Sequence, residues 1–331
     1  AAFVGGIVLV AADPGSTPGD VLLVLAAGSR LSAYLSGTVG EIGFLRGVWL
    51  DGSKRLAWLE DYAASRAPGA LASAVPDRLE DGIRFENVSF AYPGTERPVL
   101  EDVSLHFRRG TVIAVVGENG AGKTTLVKLL SGMYRPTRGR ILVDGVDVAR
   151  LEPEAWRARL AGAFQDFYRF ELTVGRSVGL GDLPRLDDPG AIGTAVERAG
   201  AQDMVARLPG GLATQLGATW PEGVELSFGQ WQKLALARGF MRDDLHVLVL
   251  DEPTAALDAE TEHALFERYA AAARSDRVTI LVSHRFSTVR MADLIVVLDA
   301  ARVVEAGTHQ ELVAAGGTYA QLYAIQARSY R

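Results

Sequence analysis

The 331-residue chain contains no cysteine, which removes disulfides, thiolate nucleophiles and cysteine-held metal clusters from its chemistry. Lysine is scarce, at Lys54, Lys123, Lys128 and Lys233 only, and arginine supplies the remaining positive charge. That usage is associated with GC-rich bacterial genomes. A formal net charge of -6 leaves no basic excess of the kind a duplex-binding surface needs, so nucleic acid is not an expected partner. The chain also lacks a stretch of eighteen uncharged apolar residues, an internal repeat and any low-complexity tract. Hydropathy alone therefore makes a membrane span a marginal reading. Apolar residues, at 48%, are abundant enough to fill the cores of two units at this length.

The first eighty residues differ from the rest. Phe3 to Ala12 is an apolar run, Asp13 to Asp20 is a proline- and glycine-containing turn, and Val21 to Leu50 is apolar apart from Arg30, Glu41 and Arg46. As one helix that last run is roughly 45 Å long, enough to cross a bilayer and project from it. A soluble helical hairpin fits the composition equally well. The chain opens inside an apolar run, without Met or a basic segment, so it reads as the later portion of something longer and not as a signal peptide. Residues 66–81, with Pro68, Gly69 and Pro76, read as a linker. Alternation begins at Ile83, and short apolar strand candidates at 141–143, 161–164, 247–250, 278–282 and 294–298 interleave with helix-like segments. This is the pattern of an α/β domain over residues 82–331.

The chemistry concentrates in a few segments. Gly117-Glu118-Asn119-Gly120-Ala121-Gly122-Lys123-Thr124-Thr125 stands between a strand-like and a helix-like run. Its glycines let backbone N–H groups turn around phosphate oxygens, Lys123 reaches the terminal phosphates, and the Thr124 hydroxyl suits Mg2+. This reads as a nucleotide triphosphate site, with Mg2+ expected beside it. His246-Val247-Leu248-Val249-Leu250-Asp251-Glu252 is a buried-strand pattern ending in two carboxylates. Asp251 suits the metal, and Glu252 suits the attacking water as general base. Ser227 and Gln230 have capping-box spacing ahead of the helical run Trp231 to Met241, with the small Gly229 between them. Such a helix start serves as a structural cap, as a second phosphate contact, or as both.

Taken in order, the phosphate loop, Leu226-Ser227-Phe228-Gly229-Gln230 and the Leu-Asp-Glu strand end resemble the nucleotide-binding domain of ATP-binding-cassette (ABC) transporters, from about Ile83 to the C-terminus. The resemblance implies an α/β phosphate-loop cassette, with a mixed core sheet, an antiparallel β subdomain and a helical subdomain, preceded by a transmembrane arm. It implies that Tyr92 stacks on adenine, that Gln165 touches Mg2+ and senses the membrane part, that Asp258 couples the two sites, and that His284 holds the γ-phosphate. Phe228 stands where many members have glycine. Phe164, Phe167, Tyr168 and Phe170 crowd around Gln165, in the region that in this family receives helices from the membrane domain. Residues 1–65 are similar to the end of an exporter membrane domain, the fifth helix's end and a long sixth helix, with the earlier helices missing.

The resemblance further implies an ATP-hydrolysing exporter subunit in a bacterial plasma membrane, its ATPase domain cytoplasmic. It pairs head-to-tail with an identical or related half-transporter, and ATP lies between the phosphate loop of one chain and Ser227 to Gly229 of the other. An importer ATPase subunit and a soluble cassette ATPase are the competing readings. The cargo is not legible.

Overall fold

The computed structural model describes residues 2–66, 73–164, 166–251, 276–283 and 285–329. It divides into two compact units, Ala1–Ala67 and Pro68–Arg331.

In the first unit, α1 (Ala2–Ala12) leads into a turn closed by Ser16 N donating to Asp13 O at 3.0 Å. α2 (Pro18–Phe44) starts at Thr17, whose backbone N donates to the Asp20 carboxylate at 2.8 Å. Pro18 follows, where a missing N–H costs nothing in a first turn. The helix then passes through a π-helical stretch, Leu45–Leu50, into α3 (Asp51–Arg66). There Asp51 N donates to Arg46 O, one residue farther back than an α-helix allows. Pro18–Ala64 counts 47 residues, about 70 Å at the usual rise, against a bilayer core of about 30 Å. No residue of α2 is buried, and Leu22, Leu31, Leu35 and Val39 are all exposed. By length and composition this is a candidate membrane span.

The second unit opens on strands. β1 (Gly82–Phe90) and β2 (Leu100–Arg108) pair antiparallel, and their register shifts where Asn87 adopts φ 49°. Asn87 Nδ2 donates to Asp102 Oδ1 at 2.9 Å, which stabilises this bulge. β3 (Val112–Gly117) is followed by α4 (Lys123–Leu130), β4 (Arg138–Val143), β5 (Val146–Asp147), α5 (Pro153–Ala158) and β6 (Leu160–Ala163). A helical layer comes next: α6 (Val174–Gly179), α7 (Pro189–Arg198), α8 (Gln202–Ala206) and α9 (Phe228–Gly239). β7 (Val247–Asp251), β8 (Val278–Val282), α10 (Phe286–Val289), β9 (Leu294–Asp299), β10 (Arg302–Gly307), α11 (His309–Ala315) and α12 (Thr318–Ser329) complete the described strands and α-helices.

Two sheets result. One is antiparallel, in the order β2-β1-β4-β5; the other runs β10-β9-β3-β8-β7-β6, parallel from β9 to β6 with β10 antiparallel at its edge. The parallel strands are continuous apolar runs because they are covered on both faces. Phe85, Phe107, Leu126 and Trp156 fill the core between the sheets, and Trp156 Nε1 donates to Leu130 O at 2.9 Å. Trp231, Leu234, Val174 and Ile192 fill a second core in the helical layer. Burial of each such side chain contributes about 1.5–3 kcal/mol.

Within the stretch expected to be a linker, Ser73, Pro76, Glu80 and Asp81 are hydrogen-bonded to the globular unit, as is Gly82 just after it. Ser73 N donates to Arg150 O at 2.7 Å, Pro76 O accepts from His246 Nε2 at 2.6 Å, and the Asp144 carboxylate accepts from Glu80, Asp81 and Gly82 N at 2.8–2.9 Å.

Candidate functional site

β3 is flanked by β8 and β9, and its C-terminal end is Gly117. Gly117 lies at φ 154°, and a Cβ there would fall 2.2 Å from Leu298 O of the neighbouring strand. Gly122, the N-cap of α4, lies at φ 105°, and its Cβ would fall 2.7 Å from both Val99 O and Leu100 Cδ2. Only glycine lets the loop 118–122 rise from the strand and turn into the helix at these contacts. Lys123 Nζ donates to Gly117 O at 2.8 Å and to Glu118 O at 2.9 Å, so the loop curves around an ammonium group. Gly122 offers no side chain to the first-turn amides of α4. The result is a helix N-terminus, a cation and a narrow glycine-built curve at one point, which fits a polyphosphate.

Asp251 ends β7 and pairs in register with Val282 of β8, and Val282 pairs with Val115 of β3. The phosphate loop and the Asp251 carboxylate therefore leave the same sheet edge two strands apart, about 10 Å at ordinary strand spacing. This is where open α/β sheets hold ligands. Thr124, second in α4, is exposed, whereas Thr125 is buried and its Oγ1 lies 3.1 Å from Tyr92 Oη. Tyr92 meets Phe90 and Tyr134 edge-on, with centroids 5.0 and 5.3 Å away. It lines a cleft of about 740 Å³ together with Arg97, Glu118, Asn119, Gly120, Ala121 and Ala301. That volume accommodates a nucleotide base and sugar beside the loop.

Ser227 caps α9 reciprocally. Gln230 N donates to Ser227 Oγ at 3.3 Å and Ser227 N donates to Gln230 Oε1 at 2.8 Å. Ser227 is exposed, Gly229 is half-buried, and α9 packs on β6, at the far edge of the sheet from the phosphate loop's strand. Among the described residues no hydrogen bond joins the start of α9 to that loop. One chain thus presents two separate phosphate-suited ends. Gln165, Glu252, Asp258 and His284 lie outside the described residues.

Residues 100–255 match the ABC transporter family. This stretch is an ABC transporter domain. A lipid A-core flippase of Aromatoleum aromaticum, ATP-dependent by its name, is 41% identical over 255 residues, 76% of this chain and 41% of the relative. A flippase of the same name from Chromohalobacter salexigens is 36% identical over 325 residues, 97% of this chain and 54% of its own length. Among solved structures, a bacterial Atm1-family ABC exporter with ATP bound superposes with a TM-score of 0.76 at 31% identity. The match covers 98% of this chain and 56% of that one. The chain spans about half the length of the curated relatives it matches. Its second unit has the ABC cassette fold.

Three features escape a reading of the sequence. The Tyr92–Thr125 contact has no signal in spacing. The β9–β10 hairpin turns on Ala300 and Ala301 at φ 44° and 70°, values usually met by Asn-Gly. Arg238 of α9 donates to Ser177 O at 2.8 Å and lies 4.6 Å over the Phe170 ring, and burial lowers its pKa to about 10.

Proposed function

We propose that this chain is the ATP-binding and ATP-hydrolysing subunit of an ABC exporter, which couples ATP-driven pairing of two cassettes to movement of cargo across a bacterial inner membrane. The observation that carries this reading is the separation of two phosphate-suited ends, the loop 117–125 after β3 and the Ser227 end of α9 beyond β6. A head-to-tail pair of chains closes both gaps at once, with one chain's loop facing the other's Ser227 and Gly229. Closure then depends on ATP, and reopening depends on its hydrolysis.

In this reading the backbone of 118–122 and Lys123 hold the β- and γ-phosphates, and Tyr92 offers its ring to the base. Thr124, Gln165 and Asp251 would hold Mg2+, which when bound neutralises charge developing on the phosphoryl oxygens. Glu252 accepts the proton of the attacking water, His284 holds the γ-phosphate and water in line, and Asp258 links the paired sites. Phosphoryl transfer needs mainly positioning and charge neutralisation, with the base contributing about 10²- to 10⁴-fold. The exposed apolar surface of Pro18–Ala64 favours an exporter over an importer subunit or a soluble cassette ATPase. The two flippase relatives support a lipid-like cargo.

The test is MgATP hydrolysis by the chain in detergent against protein concentration, compared with Glu252→Gln. Specific activity that rises with concentration and falls at least 100-fold in the variant is expected. Activity independent of concentration, or unchanged in Glu252→Gln, refutes the composite site.

A further inference from the structure

Phe228, the first residue of α9, is 46% exposed. An aromatic ring that open usually touches little, yet this one is engaged twice. Its centroid lies 5.6 Å from that of Phe167 with the planes at 38°, and the guanidinium carbon of Arg169 lies 5.8 Å from it. Both are favourable arrangements for a π-system with a negative face. Ten residues along the helix, about 15 Å, Arg238 holds the other end of the same short segment. Its guanidinium lies over Phe170, and its Nη1 donates to Tyr168 O at 3.3 Å. Tyr168 and Phe170 meet at 4.9 Å. Segment 167–170 is thus clasped to α9 at two points. Arg238 is further anchored through Ser177 on α6, so its end of the clasp is fixed to the helical layer. Phe228 secures the other end through its two ring contacts, to Phe167 and to Arg169, and a glycine there would remove both.

We propose that Phe228 is a positioning residue that locks segment 167–170, next in sequence to Gln165, onto the Ser227 end of α9, so that the two move as one piece. The proposal rests on the reading of the chain as a composite-site ATPase, because its consequence is that a displacement of the segment after Gln165 shifts the end offered to the partner's ATP. In this chain an aromatic at the position between Ser227 and Gly229 makes that link rigid.

Amide hydrogen exchange on the full chain in detergent, without nucleotide, tests the clasp directly. Phe228→Ala is expected to speed exchange at 167–170 by about two- to tenfold, the weight of one aromatic contact, while leaving β3 and β8 unchanged. Phe228→Tyr, which keeps the ring, is expected to restore protection. Unchanged exchange at 167–170, or an equal rise throughout the unit, overturns the proposal. MgATP hydrolysis supplies the second arm, with Phe228→Ala, Phe167→Ala and the double variant. If the rings act as a pair, the double variant's kcat lies within twofold of the worse single one; kcat losses that multiply overturn the link. A parent chain without Glu252-dependent hydrolysis refutes the ATPase reading, and the exchange result alone then decides the clasp.

Discussion

Gly122→Ala puts the geometry of the phosphate loop to its sharpest test. The native φ of 105° is one that a side chain rarely adopts, and holding alanine there costs about 1–3 kcal/mol. The new methyl would fall 2.7 Å from Val99 O and 2.7 Å from Leu100 Cδ2. Neither can yield freely: Val99 N donates to Phe90 O at 2.8 Å, and Leu100 is fully buried in the core between the sheets. Overpacking of this kind adds about 1–3 kcal/mol. The two together reach about 2–6 kcal/mol, a large part of the 5–15 kcal/mol that typically holds a domain. At about 2–4 °C per kcal/mol for a unit of this size, the melting temperature should fall by roughly 4–24 °C. If the loop gives way first, the fold survives and ATP affinity is lost instead. Circular-dichroism melting and equilibrium binding of ATP, measured on the same preparation, follow both routes. Gly120→Ala is the comparison, because φ is 85° but nothing lies within 4 Å of its Cβ, so only the backbone cost applies. A Gly122→Ala protein that melts within 2 °C of the parent and binds ATP within about twofold would refute the steric argument.

Two further outcomes are expected. The Ala300-Ala301 hairpin turn holds two alanines at positive φ, so Ala300→Asn with Ala301→Gly should raise stability by about 1–2 kcal/mol in urea unfolding, and no gain would mean the turn is unstrained. His246 is buried, and burial pushes its pKa down although its Nε2 donates to Pro76 O. The unfolded chain then binds more protons below about pH 6.5, so this residue's contribution is complete above that pH and is lost as pH falls. His246→Gln should therefore lose less melting temperature than the parent between about pH 7.5 and pH 5.5; equal losses would exclude His246 as the titrating group.

Much of the site is local in sequence and for that reason legible in it. Gly117 to Thr125 carries its own turn chemistry, and Leu226 to Gln230 carries its own cap, so spacing alone assigns them to a strand–loop–helix and a helix start. Strand candidates such as 278–282 stand out as unbroken apolar runs because parallel strands are buried on both faces. The start of the cassette is less legible. Arg66 to Asp81 has a linker's composition, yet Asp144 binds the amides of Glu80, Asp81 and Gly82 from 62 to 64 residues away, and no local pattern records a bond of that range.

Residue order alone dictates which chemical groups are available: no thiol, a phosphate loop, a capped helix start at Ser227, an acidic strand end at Asp251. Each depends on residues within about ten positions of one another, where backbone propensity and periodicity act directly. Which of these groups meet is a matter of three-dimensional packing. Strand order brings Asp251 to the edge that bears the phosphate loop, yet puts α9 on β6, away from it. Packing puts Thr125 against Tyr92 and Phe228 against Phe167. These meetings follow from sheet order and core filling, which sum weak contacts over the whole unit.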